Sequence, residues 1–390
     1  MVAMAERAGR FVVQDHGKPS EFRAFVPRPL PPHPPLVLTD EFHEWDRRAY
    51  AGLGRLSGIT RVLPNLHLFL YMHVRKEAVL SSQIEGTQSS LSDLLLYEHE
   101  GAPSVPIDDV EEVSCYVAAA VRAVSLLKTL PLSMRLLKEV HGVLLNGARG
   151  GDKTPGEIRT SQNWIGGSRP GNALFVPPPH RELANALSHL EKFLHDEPTR
   201  TPTLIKAALA HAQFETIHPF LDGNGRLGRL LITLVLMNEG LIDTPVFYPS
   251  LFLKQNRTEY YERLQRVRTH GDWEGWLLFF VRGVALGSEA ACTTVEATLA
   301  LFERDRTKVM SGKGRNLANV LRVYDYAREK AVVAVPATQR ALSISQPTVN
   351  SAINALSELG ILREMTGKLR DRRYVYAEYV NLMSDERPLR

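Results

Sequence analysis

A chain of 390 residues is too long for one ordinary hydrophobic core, so two or three domains are expected. Its 44% hydrophobic and 23% charged residues are those of a globular protein in water, and a net charge of +4 does not by itself call for nucleic acid. No run reaches the ~20 consecutive apolar residues of a membrane span, and the opening MVAMAERAGRF lacks the apolar core of a secretory signal. Cys115 and Cys292 stand far apart without metal-ligand spacing, which reads as two reduced thiols in a cytoplasmic protein that engages no membrane.

Along the chain, residues 1–39 are poor in helical pattern, and Pro27 to Pro35 (PRPLPPHPP) excludes helix and central strand. This part reads as an extended Pro-rich arm. Helical periodicity then dominates, over 40–57, 67–84, 87–99, 107–129, 131–146, 180–195, 203–216, 225–239, 255–269, 272–285 and 288–308. The break is 159–179, where Trp164-Ile165 and Leu174-Phe175-Val176 flank a Gly/Pro/Asn turn and predict a β-hairpin. After Met310 a short basic linker leads to helices at 317–330, 337–342 and 346–359. A two-stranded hairpin over 361–365 and 373–379 follows, the order of a winged helix-turn-helix. The expected fold is therefore mainly α, divided into an arm (1–39), a helical region (40–130), a core (131–310) and a winged module (311–390).

The chemistry concentrates in 218–229, HPFLDGNGRLGR. Pro219 stops the preceding helix, and Gly223 and Gly225 free the backbone to turn N–H groups onto an anion at the start of the next helix. Asp222 offers the hard oxygen that magnesium needs between phosphates. Arg226 and Arg229, three apart, share a helix face and suit phosphate oxygens. His218 has the ordinary pKa of a general base near neutrality. Each residue alone has a commoner structural explanation, as a cap, a turn or a solvated face. A base, a metal ligand, two glycines and two arginines within twelve residues do not. No GxxxxGK[ST] loop is present, which disfavours ordinary P-loop hydrolysis.

This segment matches the HxFx[DE]GNGRxxR signature and resembles the Fic family at every defined position. The similarity covers roughly residues 30 to 290, including PGEIRTSQNWIGG as the family's flap and NRTEYYERL as its downstream helix. The resemblance implies a Fic-type helical bundle and an enzyme that moves AMP from ATP, with magnesium, onto a Ser, Thr or Tyr hydroxyl of a target protein. It makes His218 the base and Asp222 the metal ligand. Asn224 with the Gly223–Gly225 backbone becomes the anion hole, and Arg226, Gly228 and Arg229 handle the outer phosphates. It also implies nucleotide contacts from Ile165, Gly166 and Gly167 on the flap and from Asn256, Tyr260 and Tyr261. Target binding by strand addition to the flap is a further expectation.

Ser81 to Gly86 (SSQIEG) fits the family's inhibitory motif [ST]xxxE[GN]. Ser81 and Glu85 lie one turn apart, Gly86 can close the helix with a left-handed cap, and Glu85 would pair with Arg229 and displace the γ-phosphate. In some braked relatives the same Glu also serves AMP removal. In the C-terminal part, 313–373 holds eleven Lys/Arg against five Asp/Glu, and Gln346, Thr348, Asn350 and Asn354 can bond base edges. Two further readings stay open: a DNA-binding regulator whose core senses a nucleotide, and a transferase with another phosphate donor. The apolar helices at 40–84 and 288–308 would serve a homodimer as well as a core.

Overall fold

The segment 203–238 is almost wholly buried, and other helices pack around it. Helices α7 (Thr203–Ile217) and α8 (Asn224–Asn238) pack on each other, and α7 is buried on every side from Leu204 to Ile217. Such a helix carries no polar stripe, so its polar groups need internal partners. Lys206, 1% exposed, pairs with Glu239 at 2.7 Å and Asp196 at 2.8 Å.

This computed structural model describes residues 7–61, 66–99, 105–147, 151–312, 316–368 and 370–389. Among them are fifteen α-helices and two small antiparallel sheets. Around the central pair lie α1 (Asp40–Arg61), α2 (Leu66–Glu85), α3 (Leu91–Glu98), α4 (Ile107–Leu127), α5 (Met134–Leu144), α6 (His180–Leu194), α9 (Ser250–Gln255), α10 (Arg257–His270) and α11 (Trp273–Ser311). The mainly helical expectation holds, with boundary corrections. The helix expected from 87 begins at Leu91, because Ser90 caps it and Asp93 returns the bond in a capping box. The breaks expected at 271 and near 286 differ. Gly271 does end α10 in a left-handed cap, but α11 runs unbroken for 39 residues. Gly287 sits inside it against Phe247, so packing outweighs the helix cost of glycine. An 18-residue window of α11 is apolar enough to cross a membrane by length and composition, yet 67% of it is buried inside the protein.

The arm is not simply extended. Strands β1 (Gly9–Gln14) and β2 (Phe22–Pro27) form a hairpin, with Asp15 and Gly17 supplying the positive φ of the turn. The Pro-rich part then runs over the body, where buried Arg7 joins Pro34 O to the Glu274 carboxylate at 2.9 and 3.0 Å. The hairpin expected over 159–179 is reduced to one bridge, Ile165 with Phe175, around the short 3-10 turn Pro170–Asn172. Its exit strand bonds β2 instead, through Phe25 N–H to Val176 O at 2.9 Å.

The C-terminal part contains α12 (Leu317–Lys330), β3 (Val332–Ala334), α13 (Val335–Leu342), α14 (Gln346–Glu358), β4 (Leu362–Glu364) and β5 (Arg373–Tyr376). Its sheet has the order β3-β5-β4, so a third strand, Val332-Val333-Ala334, joins the expected pair. The last strand stops at Tyr376 rather than 379, and α15 (Ala377–Met383) follows. Residues 313–315 of the linker and 369 of the hairpin loop lie outside the described residues.

This part is fastened to the body. Tyr324 OH donates to Phe302 O at 2.6 Å, Tyr376 OH to Asp305 at 2.7 Å, and Arg304 grips Glu378 at 2.8 and 2.6 Å. The tail crosses α2, where Lys76 Nζ donates to Asp385 O at 3.0 Å, and Lys254 joins Gln83 of α2 to Glu386.

Candidate active site

His218 caps α7 in the left-handed region (φ 49°, ψ 61°), an uncommon place for a side chain other than Gly, Asn or Asp. The turn is over-determined by its neighbours. Arg159, 2% exposed, donates to His218 O at 2.8 Å and Pro178 O at 2.7 Å, and its own N–H reaches Pro219 O at 3.0 Å. Asn163 donates to Phe220 O at 3.1 Å. Burial first, and then the Arg268 and Arg159 charges, lower the His218 pKa to about 4, with Glu215 O and Glu85 offsetting part of the effect. The imidazole is therefore neutral at physiological pH and able to accept a proton.

The loop closes on itself through Asn224. Its Oδ1 accepts from Phe220 N–H and its Nδ2 donates to Phe220 O, both at 2.9 Å. The Asn224 side chain, 2% exposed, is thus committed to shaping the loop, which leaves backbone N–H groups as the anion donors. No side chain caps the first turn of α8, and Gly223 precedes it at φ 73°. These free N–H groups and the positive end of the helix make an anion site. Phe220 is fully buried and stacks on His141, ring centroids 3.7 Å apart. His141 in turn bonds Asp222 O at 3.0 Å and Gly156 N–H at 2.8 Å. Neither Arg159 nor His141 stood out in the sequence, although Arg159 lies within PGEIRTSQNWIGG; their roles come from partners that folding brings to them.

The two arginines do not act as one pair. Arg226 turns to Glu112 of α4 at 2.9 Å and is 3.6 Å from Asp222. Arg229, 1% exposed, is enclosed by α2. Its Nε donates to Ser81 Oγ at 2.8 Å, and its terminal nitrogen to Ser81 O at 2.9 Å and Glu85 Oε1 at 2.7 Å. Glu85 lies so close over the first turn of α8 that a methyl group built on Gly225 would collide with its Oε1. Burial opposes ionisation of Glu85, but the charge and hydrogen bond of Arg229 outweigh it, leaving its pKa below the usual carboxylate value. Helix α2 ends there in a Schellman cap: Thr87 N–H bonds Ser82 O, Gly86 N–H bonds Gln83 O, and Gly86 adopts φ 107°.

Asp222 lies at the loop with its side chain 48% exposed, one oxygen accepting from Gly223 N–H. Among the described residues no cluster of three or more His, Cys, Asp or Glu could hold a metal. A lone half-exposed carboxylate beside an anion site still suits magnesium, which takes one or two carboxylates and completes its shell with phosphate and water.

The residues expected near the base divide. Tyr260 departs from expectation, being 1% exposed with its hydroxyl bonded to His211 at 2.9 Å and its ring against Trp276. A local aromatic motif cannot reveal that its side chain fills the core. Asn256 joins α9 to α10, donating to Phe252 O, while Tyr261 is 40% exposed beneath Arg257. At the flap, Gly166 (φ 69°) and Gly167 (φ 71°) make the turn, where added methyl groups would meet Leu174 and Asn172. Gly228 gives Glu215 room beneath α8.

Two family models match in order, the Fic/DOC family N-terminal region over residues 46–125 and the Fic/DOC family over 131–236. Residues of the chain are 34% identical over 163 positions to protein adenylyltransferase fic-1 of Caenorhabditis briggsae, covering 42% of this chain and 28% of that one. They are 35% identical over 182 positions to protein adenylyltransferase Fic of Drosophila grimshawi, covering 46% and 32%. The chain thus spans about a third of the length of these relatives. A Fic family protein of Desulfovibrio desulfuricans G20 shares the fold, with a TM-score of 0.57 at 18% identity over 87% of this chain and 97% of that one. The two segments match in order, with the His218–Arg229 loop between α7 and α8 inside the second, so residues 46–125 and 131–236 are similar to the Fic/DOC family.

Proposed function

We propose that this chain transfers AMP from ATP to a hydroxyl of a target protein and restrains itself through Glu85. The observation that carries the reading is the seat of Glu85, on Arg229 and over Gly225, at the anion site beside a neutral His218. The β- and γ-phosphates would lie on the N–H groups of the first turn of α8, with Arg229 against the γ-phosphate. His218 takes the proton of the target hydroxyl. The hydroxyl oxygen then bonds to the α-phosphorus, the bond to the bridging oxygen breaks, and pyrophosphate leaves with the charge that the helix end neutralises. Asp222 would hold the magnesium, which supplies charge neutralisation between the phosphates.

With Glu85 in place Arg229 is already paired, so ATP lacks its γ-phosphate partner and settles unproductively. Removal of AMP would use the same Glu85 to orient a water. The flap residues that flank the Ile165–Phe175 bridge would align the target by main-chain bonds, Ile165 itself being engaged within the flap, and Asn256 and Tyr261 would border the base. We read residues 316–383 as a winged helix-turn-helix from its helix, strand and hairpin order.

The test incubates wild type, Glu85→Gly and Glu85→Gly/His218→Ala with α-labelled ATP and magnesium. Label on protein in the single variant alone supports transfer, its base and its brake together. No label in any sample while ATP still binds would reject the transfer. Label in wild type equal to that in Glu85→Gly would reject the brake alone. Release of AMP from a labelled target by wild type, but not by Glu85→Gly, would support removal.

A further inference from the structure

The transfer reaction leaves one strongly polar surface of the C-terminal part unused. On α14, Gln346, Asn350 and Asn354 recur every fourth residue and all are exposed, while Val349, Ala352, Ile353 and Leu356 are buried. The three amides therefore form one line, about 12 Å long at 1.5 Å per residue. No hydrogen bond within the described residues engages these three side chains. Helix α14 packs on α12, α13 and β4 of its own module, so its outer face points away from the body.

Arg370 and Arg372 of the β4–β5 loop close the same groove, a recess of about 640 Å³ that also includes Tyr374. Among the described residues neither arginine forms an ion pair, although the Arg372 charge reaches Glu364; Arg372 donates to Lys368 O at 2.9 Å. Across the loop lies a second recess of about 570 Å³ with Arg340, Lys368 and Arg373, bounded by Glu98 and His99. Glu98 is already bound to Arg75 at 2.8 and 2.9 Å, so Asp371, which borders both recesses, is the uncommitted acid against five cations. A surface for another protein would be expected to carry apolar anchors. Among the described residues 316–389, Leu359 at 37% exposure is the one large apolar side chain more than a third exposed.

We infer that α14 and the β4–β5 loop form a binding surface for duplex DNA. A helix fits the ~12 Å major groove, where Asn and Gln side chains bond adenine N6 and N7. Gln346, Asn350 and Asn354 take the base edges, and Arg370, Arg372, Lys368 and Arg340 take flanking phosphates. The site recognises A·T pairs at two or three positions one helical turn of protein apart. It rests on none of the residues assigned to AMP transfer.

The experiment uses the full chain, selects from random-sequence duplexes, and measures binding by fluorescence anisotropy between 50 and 200 mM NaCl. Selection converges on an A·T-containing motif. Arg370→Ala/Arg372→Ala weakens every duplex alike and flattens the slope of log K against log salt by about 2. Asn350→Ala/Asn354→Ala keeps non-specific binding but loses the motif, and His218→Ala binds as wild type. The inference is overturned by no binding at 50 mM NaCl, or by affinity that the double-arginine variant leaves unchanged. Equal binding to heparin or single strands without convergence overturns it as well.

Discussion

The two basic regions of this molecule are held in opposite ways. At the start of α8, Arg226 and Arg229 are buried and each is already bound to an acid of another helix. At α13 and the β4–β5 loop, Arg340, Lys368, Arg370 and Arg372 face solvent and form no ion pair among the described residues. Buried guanidinium groups cannot be left unpaired without a large desolvation cost. A buried anion site therefore carries a stand-in carboxylate until its ligand arrives, whereas an exposed one waits in water. On the proposed function the first arrangement makes a switch, and the second only an affinity.

Breaking the buried side should give the largest effects. In the Glu85→Gly background, His218→Ala is expected to lower labelling by on the order of 10²–10⁴-fold while ATP binding, read by calorimetry, persists. Glu85→Gly itself should raise labelling roughly 5–150-fold, the range of a 1–3 kcal/mol coupling. It should also lower the melting temperature of the ligand-free protein by leaving Arg229 unpaired, with ATP restoring part of the loss.

Glu215 sharpens the contrast. Burial pushes its pKa up to about 7, and its Oε1 has no hydrogen-bond partner. A raised acid stabilises the fold below its unfolded value of 4.5 and loses that contribution as pH rises through 7. Glu215→Gln should accordingly stabilise the protein at pH 8, by on the order of 3 kcal/mol at most, and change little at pH 5. Thermal denaturation at both pH values reads this directly.

The pH profile separates base from brake. Labelling by Glu85→Gly should stay level from pH 8 to 5, because the His218 pKa is near 4 and losing Glu85 lowers it further. Wild type should not be released by acid in that window, since the depressed Glu85 pKa keeps its ion pair until pH falls below 4.5. Activation of wild type at pH 6 would contradict this. The smallest effect belongs to Lys254→Ala, which frees Gln83 of α2 from Glu386 of the tail. A partly exposed link of this kind is worth about a twofold rise in labelling.

The sequence was legible where the chemistry is local. Twelve consecutive residues carry the loop, and Ser81, Glu85 and Gly86 announce, within about one helical turn, the helix end that seats Glu85 on Arg229. What it did not reveal depends on distant partners. Arg159 and Glu112 matter because folding brings them to residues about 59 and 114 positions away, at His218 and Arg226. Tyr260 looked available beside Tyr261, and only the packing of His211 and Trp276 shows otherwise. The strands GRFVVQ and FRAFVP went unread beside the proline run, although Asp15 to Gly17 marks their turn.

The unbroken α11 has a mechanical consequence. At 39 residues it is about 58 Å long. Its first turns support the core beneath the catalytic loop through Trp276, whose indole donates to Ala208 O at 2.9 Å. Its last turns hold the C-terminal module through Phe302, Arg304 and Asp305. One helix unbroken over 39 residues works as a ruler. On the proposed function, whatever the module grasps would be presented at a set distance and attitude to His218, so that reach, as well as side-chain fit, would select which hydroxyl arrives there.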